Sequence, residues 1–147
     1  MPRIILDFDP PAGEATAEGF TSATEDLVYF LSWAYSARYG ASHELTAASM
    51  VLKTMGVDLQ PLLTFADRNA EDPADEDALE RAWQDAEPLA ACCRAVVSAL
   101  RGDPRFAGVL AEYPNLAGNI EELGLIAAAA AERDIRIRVT YELEDEA

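Results

Sequence analysis

The chain has one histidine, one lysine and two cysteines in 147 residues. Each scarcity excludes a class of chemistry. A single imidazole, His43, cannot supply the two or three nitrogens of a histidine-based zinc site, and no H-E-x-x-H pattern surrounds His43-Glu44. A Ser-His-Asp triad would have to use the same residue, which stands where a helix begins and where a capping or exposed role is expected. Cys92 and Cys93 are adjacent inside a helical apolar pattern, so their side chains point about 100° apart and a vicinal disulfide would be strained. They read as two small buried residues, and Arg94 is the only nearby charge that could lower a thiol pKa.

Basic residues are sparse as well. Eleven Lys and Arg against twenty-seven Asp and Glu leave a net charge of −16. A fold this acidic repels polyanions, which excludes nucleic acid and membrane surfaces as expected partners. No run of about eighteen apolar residues exists to span a bilayer, and Met1-Pro2-Arg3 is not followed by the apolar stretch of a signal peptide, so a cytoplasmic location is expected. Neither a G-x-x-x-x-G-K nor a G-x-G-x-x-G phosphate-binding pattern occurs, and no cofactor is expected. There is no internal repeat and no low-complexity linker, so residues 1–147 read as a single helical domain with an acidic tail over 142–147.

What is present is a pattern of helices between two strands. Arg3 to Asp9 alternates, with Ile4, Leu6 and Phe8 on one face, and Pro10-Pro11 stops it. A loop over Ala12–Ala23 follows, with Phe20 as its one large apolar anchor. Helices are then expected from a Thr24 cap to Gly40, from a Ser42 cap to Gly56, and briefly after Asp58 through Leu59, Leu62, Leu63 and Ala66. Asp72-Pro73 opens a stripe that keeps its phase through Leu79, Trp83, Ala86, Ala90, Cys93, Val97 and Leu100. That continuity favours one helix kinked at Pro88 over two separate ones. Asp103-Pro104 opens a short helix stopped near Pro114, and Asn119 caps the last, which runs through Ala127–Ala131.

Ile135 to Leu143 alternates without a fault. Paired antiparallel with the first strand, it can set Arg3 opposite Glu142, Asp7 opposite Arg138 and Asp9 opposite Arg136, each of opposite charge. The expected fold is therefore mainly α (α+β), about six helices with a two-stranded antiparallel sheet formed by the N- and C-terminal strands. Two strands alone leave an open edge, which makes a homodimer an expected way of covering it.

Ile5-Leu6-Asp7-Phe8-Asp9 resembles the first motif of haloacid-dehalogenase-like phosphatases, where a strand delivers an aspartate nucleophile and a second aspartate as acid/base. The resemblance covers about six residues. That family typically continues with Gly-Thr and supplies a lysine and further acids from alternating strands and helices. Here Pro10-Pro11 follows and Lys53 is the only lysine, so Asp7 and Asp9 are read as ion-pair partners of the opposite strand. No catalytic and no metal-binding residue is assigned.

Two features remain as candidate partner sites. The acids Glu71, Asp72, Asp75, Glu76, Asp77, Glu80, Asp85 and Glu87 form the densest charge cluster, stabilising at a helix start and otherwise solvated. Tyr29, Phe30, Trp33, Tyr35 and Tyr39 crowd one helix, with Tyr29 and Trp33 off the Leu27-Leu31 stripe, so the two faces cannot meet one neighbour. The leading expectation is a non-enzymatic acidic interaction or adaptor protein. It binds a protein partner, plausibly basic, through Asp75, Glu76, Asp77 and Glu80 or through Tyr29, Trp33 and Tyr35. The alternatives are an acidic inhibitor or nucleic-acid mimic of a basic protein, and a small-molecule enzyme with a cleft beside Trp33.

Overall fold

A computed structural model describes residues 2–9, 20, 22–40, 42–69 and 72–143. Among them, strand β1 (Pro2–Asp9) leads to helices α1 (Glu25–Ser36) and α2 (Glu44–Thr54), strand β2 (Phe65–Asp67), helix α3 (Pro73–Arg81) and strand β3 (Trp83–Gln84). Helices α4 (Ala86–Gly102), α5 (Ala107–Glu112) and α6 (Leu116–Glu132) follow, and strand β4 (Arg136–Leu143) is the last described element. The fold is mainly α with a small mixed sheet.

The terminal strands pair antiparallel in the register that the charges favour: Arg3 lies opposite Glu142, Asp7 opposite Arg138, and Asp9 opposite Arg136. Ile4, Ile137 and Val139 fall on the opposite face and are buried against the helices. The first two charged pairs close to salt bridges of 2.8 and 3.0 Å. At the third, the Arg136 guanidinium instead lies 6.0 Å from the Trp83 ring centroid. Glu142 thus belongs to the sheet and not to a solvated tail.

The sheet has four strands and not two. On the free side of β4, β2 pairs parallel opposite Val139–Tyr141 and β3 pairs antiparallel opposite Ile137 and Arg138. On the outer side of β1, the Ile4 N–H donates to the buried Thr24 hydroxyl at 2.8 Å. Thr24 stands at the N-cap position of α1 as expected, but its hydroxyl accepts from the β1 edge and not from the helix's own N–H groups.

The helix expected after Asp58 does not form. Asp58 accepts the Gln60 N–H at 3.0 Å in a tight turn, and the Gln84 amide donates to the Pro61 and Thr64 carbonyls at 3.0 and 3.3 Å. The chain leaves this turn as β2. The single kinked helix over 73–101 is also corrected: α3 and α4 are separated at Ala82–Asp85, where β3 joins the sheet, while Pro88 sits in the first turn of α4. Proline is tolerated there because that turn's N–H groups have no helical partner.

Caps behave as their chemistry directs. Asp72 accepts the Asp75 N–H at 3.0 Å, and Gly56 takes the left-handed conformation at φ 89° just past α2. His43, not Ser42, caps α2 by accepting the Leu45 N–H at Nδ1. Asn119 lies inside α6, fully buried, with Nδ2 donating to Ser22 at 3.3 Å. The core joins α1, α4 and α6, whose Phe30, Leu31, Leu89, Val96, Leu116, Ile120 and Leu123 are buried against the sheet, with Phe20 packed at its margin. The rest of the Ala12–Ala23 loop lies largely outside the described residues.

Candidate functional site

Helix α1 divides its aromatics. Phe30 fills the core, while Tyr35 turns to the sheet, edge-on to Phe65 at 5.8 Å, with Phe65 against Tyr141 at 5.9 Å and Tyr39 near Tyr35 at 6.0 Å. Trp33 goes the other way. Its ring stacks on His43 with centroids 4.2 Å apart and planes within 2°, and its carbonyl accepts the Thr46 hydroxyl at 3.1 Å, which ties α1 to the start of α2. Because the His43 Nδ1 accepts a backbone N–H, the neutral ring carries its proton on Nε2. One turn before Trp33, Tyr29 is 38% exposed and donates its hydroxyl to Glu25 at 2.9 Å.

Acidic groups converge beside this stack from three elements. Glu44 of α2 accepts the Tyr113 hydroxyl at 3.1 Å, and Asp26 of α1 accepts the Asn115 N–H at 2.9 Å, which brings the turn after α5 against both helices. Glu112, at the end of α5, lies near enough to Glu44 that a shared hydrogen bond and then the Glu44 charge raise its pKa above the usual carboxylate value. Burial first, then the Glu44 hydrogen bond and the charges of Glu44, Glu112 and Asp26, push the Tyr113 phenol up to about 12. Tyr29 is raised too, chiefly by its bond to Glu25. Among the described residues, none of Glu25, Asp26, Glu44 and Glu112 enters a salt bridge within 4 Å. The face therefore carries concentrated negative potential with aromatic walls, the combination that holds a guanidinium or ammonium group.

Tyr29 and Trp33 are thus brought together with acids that the sequence pattern does not single out, and Tyr35 is not. The predicted acids Asp75, Glu76, Asp77 and Glu80 all lie exposed on α3, a helix with no buried residue, and Asp77 pairs with Arg81 at 2.9 Å. Helix α3 seats on β2, and the Arg138 guanidinium donates to its Leu79 carbonyl at 3.3 Å. These acids belong to a different surface from Trp33. Glu71 lies outside the described residues.

Two arginines hold Asp7 by the same oxygen. Its Oδ2 accepts from Arg68 at 2.9 Å and from Arg138 at 3.1 Å, while Arg68 also donates to Thr140 and Arg138 lies 4.6 Å from the Trp83 ring centroid. Burial pushes its pKa up, but the two arginines outweigh that and hold it below the ordinary aspartate value. This is an ion-pair centre under α3. Three cavities, of about 420, 550 and 410 Å³, lie along α4 and α6, near Met55 and Pro104, and near Asp85 and Arg136. None of the three touches Trp33.

No known protein family, curated protein or solved structure matches this chain. The site must be read from its own chemistry. Among the described residues, no three His, Cys, Asp or Glu side chains gather in a metal-binding group, and no helix is long and apolar enough to cross a membrane. Cys92 and Cys93 are buried free thiols, and burial pushes Cys92 up to about 11 and Cys93 upward as well. Both are expected to resist maleimide in the native protein and to react only after unfolding. Rapid labelling of either in the folded chain, followed by mass spectrometry, would contradict this.

Proposed function

We propose that this protein is a non-enzymatic interaction module of the cytoplasm that binds a basic segment of a protein partner. Arginine or lysine side chains of that segment enter the face formed by Tyr29, Trp33, Glu44 and Glu112. The observation that carries the reading is the placement of Glu44 and Glu112: two neighbouring carboxylates beside the Trp33–His43 stack, neither of which enters a salt bridge among the described residues. A guanidinium supplies what the pair lacks, and the indole face adds cation–π attraction of about 0.5–1 kcal/mol at an exposed site.

The pH dependence follows from sign. A cationic ligand favours the charged form of Glu112 and so lowers its raised pKa on binding. Affinity is expected to weaken as pH drops through the carboxylate range. Titration with oligo-arginine at several pH values and salt concentrations measures this. Replacing Glu44 and Glu112 together by glutamine, or Trp33→Ala, is expected to weaken binding about tenfold, equivalent to ~1.4 kcal/mol. Unchanged affinity in both variants would reject the reading.

A second reading, an acidic mimic of nucleic acid, is favoured by α3 alone, whose Asp75, Glu76, Asp77 and Glu80 all face solvent. In that case the basic partner would follow α3, and its affinity would fall with substitutions there and not at Glu44 and Glu112.

A further inference from the structure

From the groove between α4 and α6 we infer that a second copy of this chain docks there, through a two-fold face separate from the Trp33 site. Cys93, Val97, Gly124 and Ala128 line a groove of about 420 Å³ between the two helices. On its wall stands Leu125, 66% exposed, the most exposed large aliphatic side chain among the described residues. A knob and a hollow on one face are self-complementary: under a two-fold axis, each Leu125 enters the other copy's groove.

Two further features fit a second copy better than another occupant. Between the charged side chains of its rim, Arg94, Arg101 and Glu121, the groove floor is small, with Ser98, Gly124 and Ala128, which leaves room for an inserted side chain. The charges also balance. Two molecules of net charge −16 repel each other, but at helical spacing this face carries Arg94 and Arg101 from α4 against Glu121 and Glu132 from α6. Arg101 already reaches Glu121 at 3.1 Å within the chain, whereas Arg94 enters none of the salt bridges among the described residues. A partner's acid completes it. Helices of this length, about 25 Å, laid side by side offer on the order of 500 Å² per copy, near the lower bound for a specific interface. The dimer is therefore expected to be weak and to be populated at high micromolar concentration.

Sedimentation equilibrium of the full chain over a wide concentration range tests the inference. The expected result is a monomer–dimer equilibrium that tightens with added salt, because screening removes the net repulsion. This trend is opposite to the salt-weakened binding of a basic segment, so the two proposals fail independently. Leu125→Glu should leave a monomer with unchanged circular dichroism, and Arg94→Glu, at an exposed position, should weaken the dimer at least several-fold. Met50→Glu, on the exposed side of α2, should leave it intact. A wild-type chain that stays monomeric at the highest concentration and salt would overturn the inference. So would a dimer that survives both Leu125→Glu and Arg94→Glu, or one that only Met50→Glu dissolves.

Discussion

Asp7→Ala is expected to destabilise the fold by about 2–3 kcal/mol, toward the low end for breaking a buried ion pair because all three partners retain some exposure. The side chains of Asp7, Arg138 and Arg68 are 21%, 19% and 35% exposed, so the removed carboxylate leaves two guanidinium groups poorly hydrated and without a counter-charge. The effect should depend on pH. The arginines hold the folded-state pKa of Asp7 below its unfolded value, so its contribution is present in full above about pH 4 and is lost as pH falls through the folded pKa. Urea denaturation of wild type and variant from pH 7 downward checks this. The stability gap should be constant near neutrality and close in acid. A gap that stays constant at low pH would assign the loss to packing instead of charge.

The second large effect is expected at Gly124, and the same substitution should have the opposite sign two turns earlier. A Cβ at Gly124 would stand 2.9 Å from the Cys93 Cβ, an atom fixed to the α4 backbone, so the helices must move apart. Overpacking of this kind costs about 1–3 kcal/mol, and the gain of roughly 1 kcal/mol from replacing glycine in a helix only partly offsets it. Gly124→Ala should therefore be destabilising by about 1–2 kcal/mol. At Gly118, also in α6, an added Cβ meets nothing within 4 Å, and Gly118→Ala should stabilise by roughly 0.5–1 kcal/mol. Denaturation at protein concentrations low enough to keep the chain monomeric measures both. Equal effects at the two sites would contradict the close crossing of α4 and α6.

The sheet register is legible in the residues because alternation and charge agree: a one-residue slip would bury Arg3 and Asp7 and expose Ile4 and Leu6. The two short strands beside β4 are not. At three and two residues, β2 and β3 are too short to display a period of two, and both are held by β4 instead of by their own pattern. The apolar stripe from Leu79 to Leu100 keeps helical phase across Ala82–Asp85 by coincidence of spacing, which conceals the strand between α3 and α4. The candidate site is half legible. Tyr29 and Trp33 stand out by their spacing, but Glu44, Glu112 and Tyr113 meet them only through the packing of α2 and α5. The α3 acids draw attention because charge density along the chain is visible in a sequence, whereas convergence from three separate segments is not.

The binding reading rests on where a cationic segment touches the molecule, and amide chemical-shift mapping with an oligo-arginine peptide measures that directly. The account predicts that the largest perturbations fall at Tyr29, Trp33, His43, Glu44, Glu112 and Tyr113, with the Trp33 indole N–H moving in the same titration. Perturbations concentrated on Asp72–Glu80 of α3, or spread evenly over the acidic surface, would contradict it.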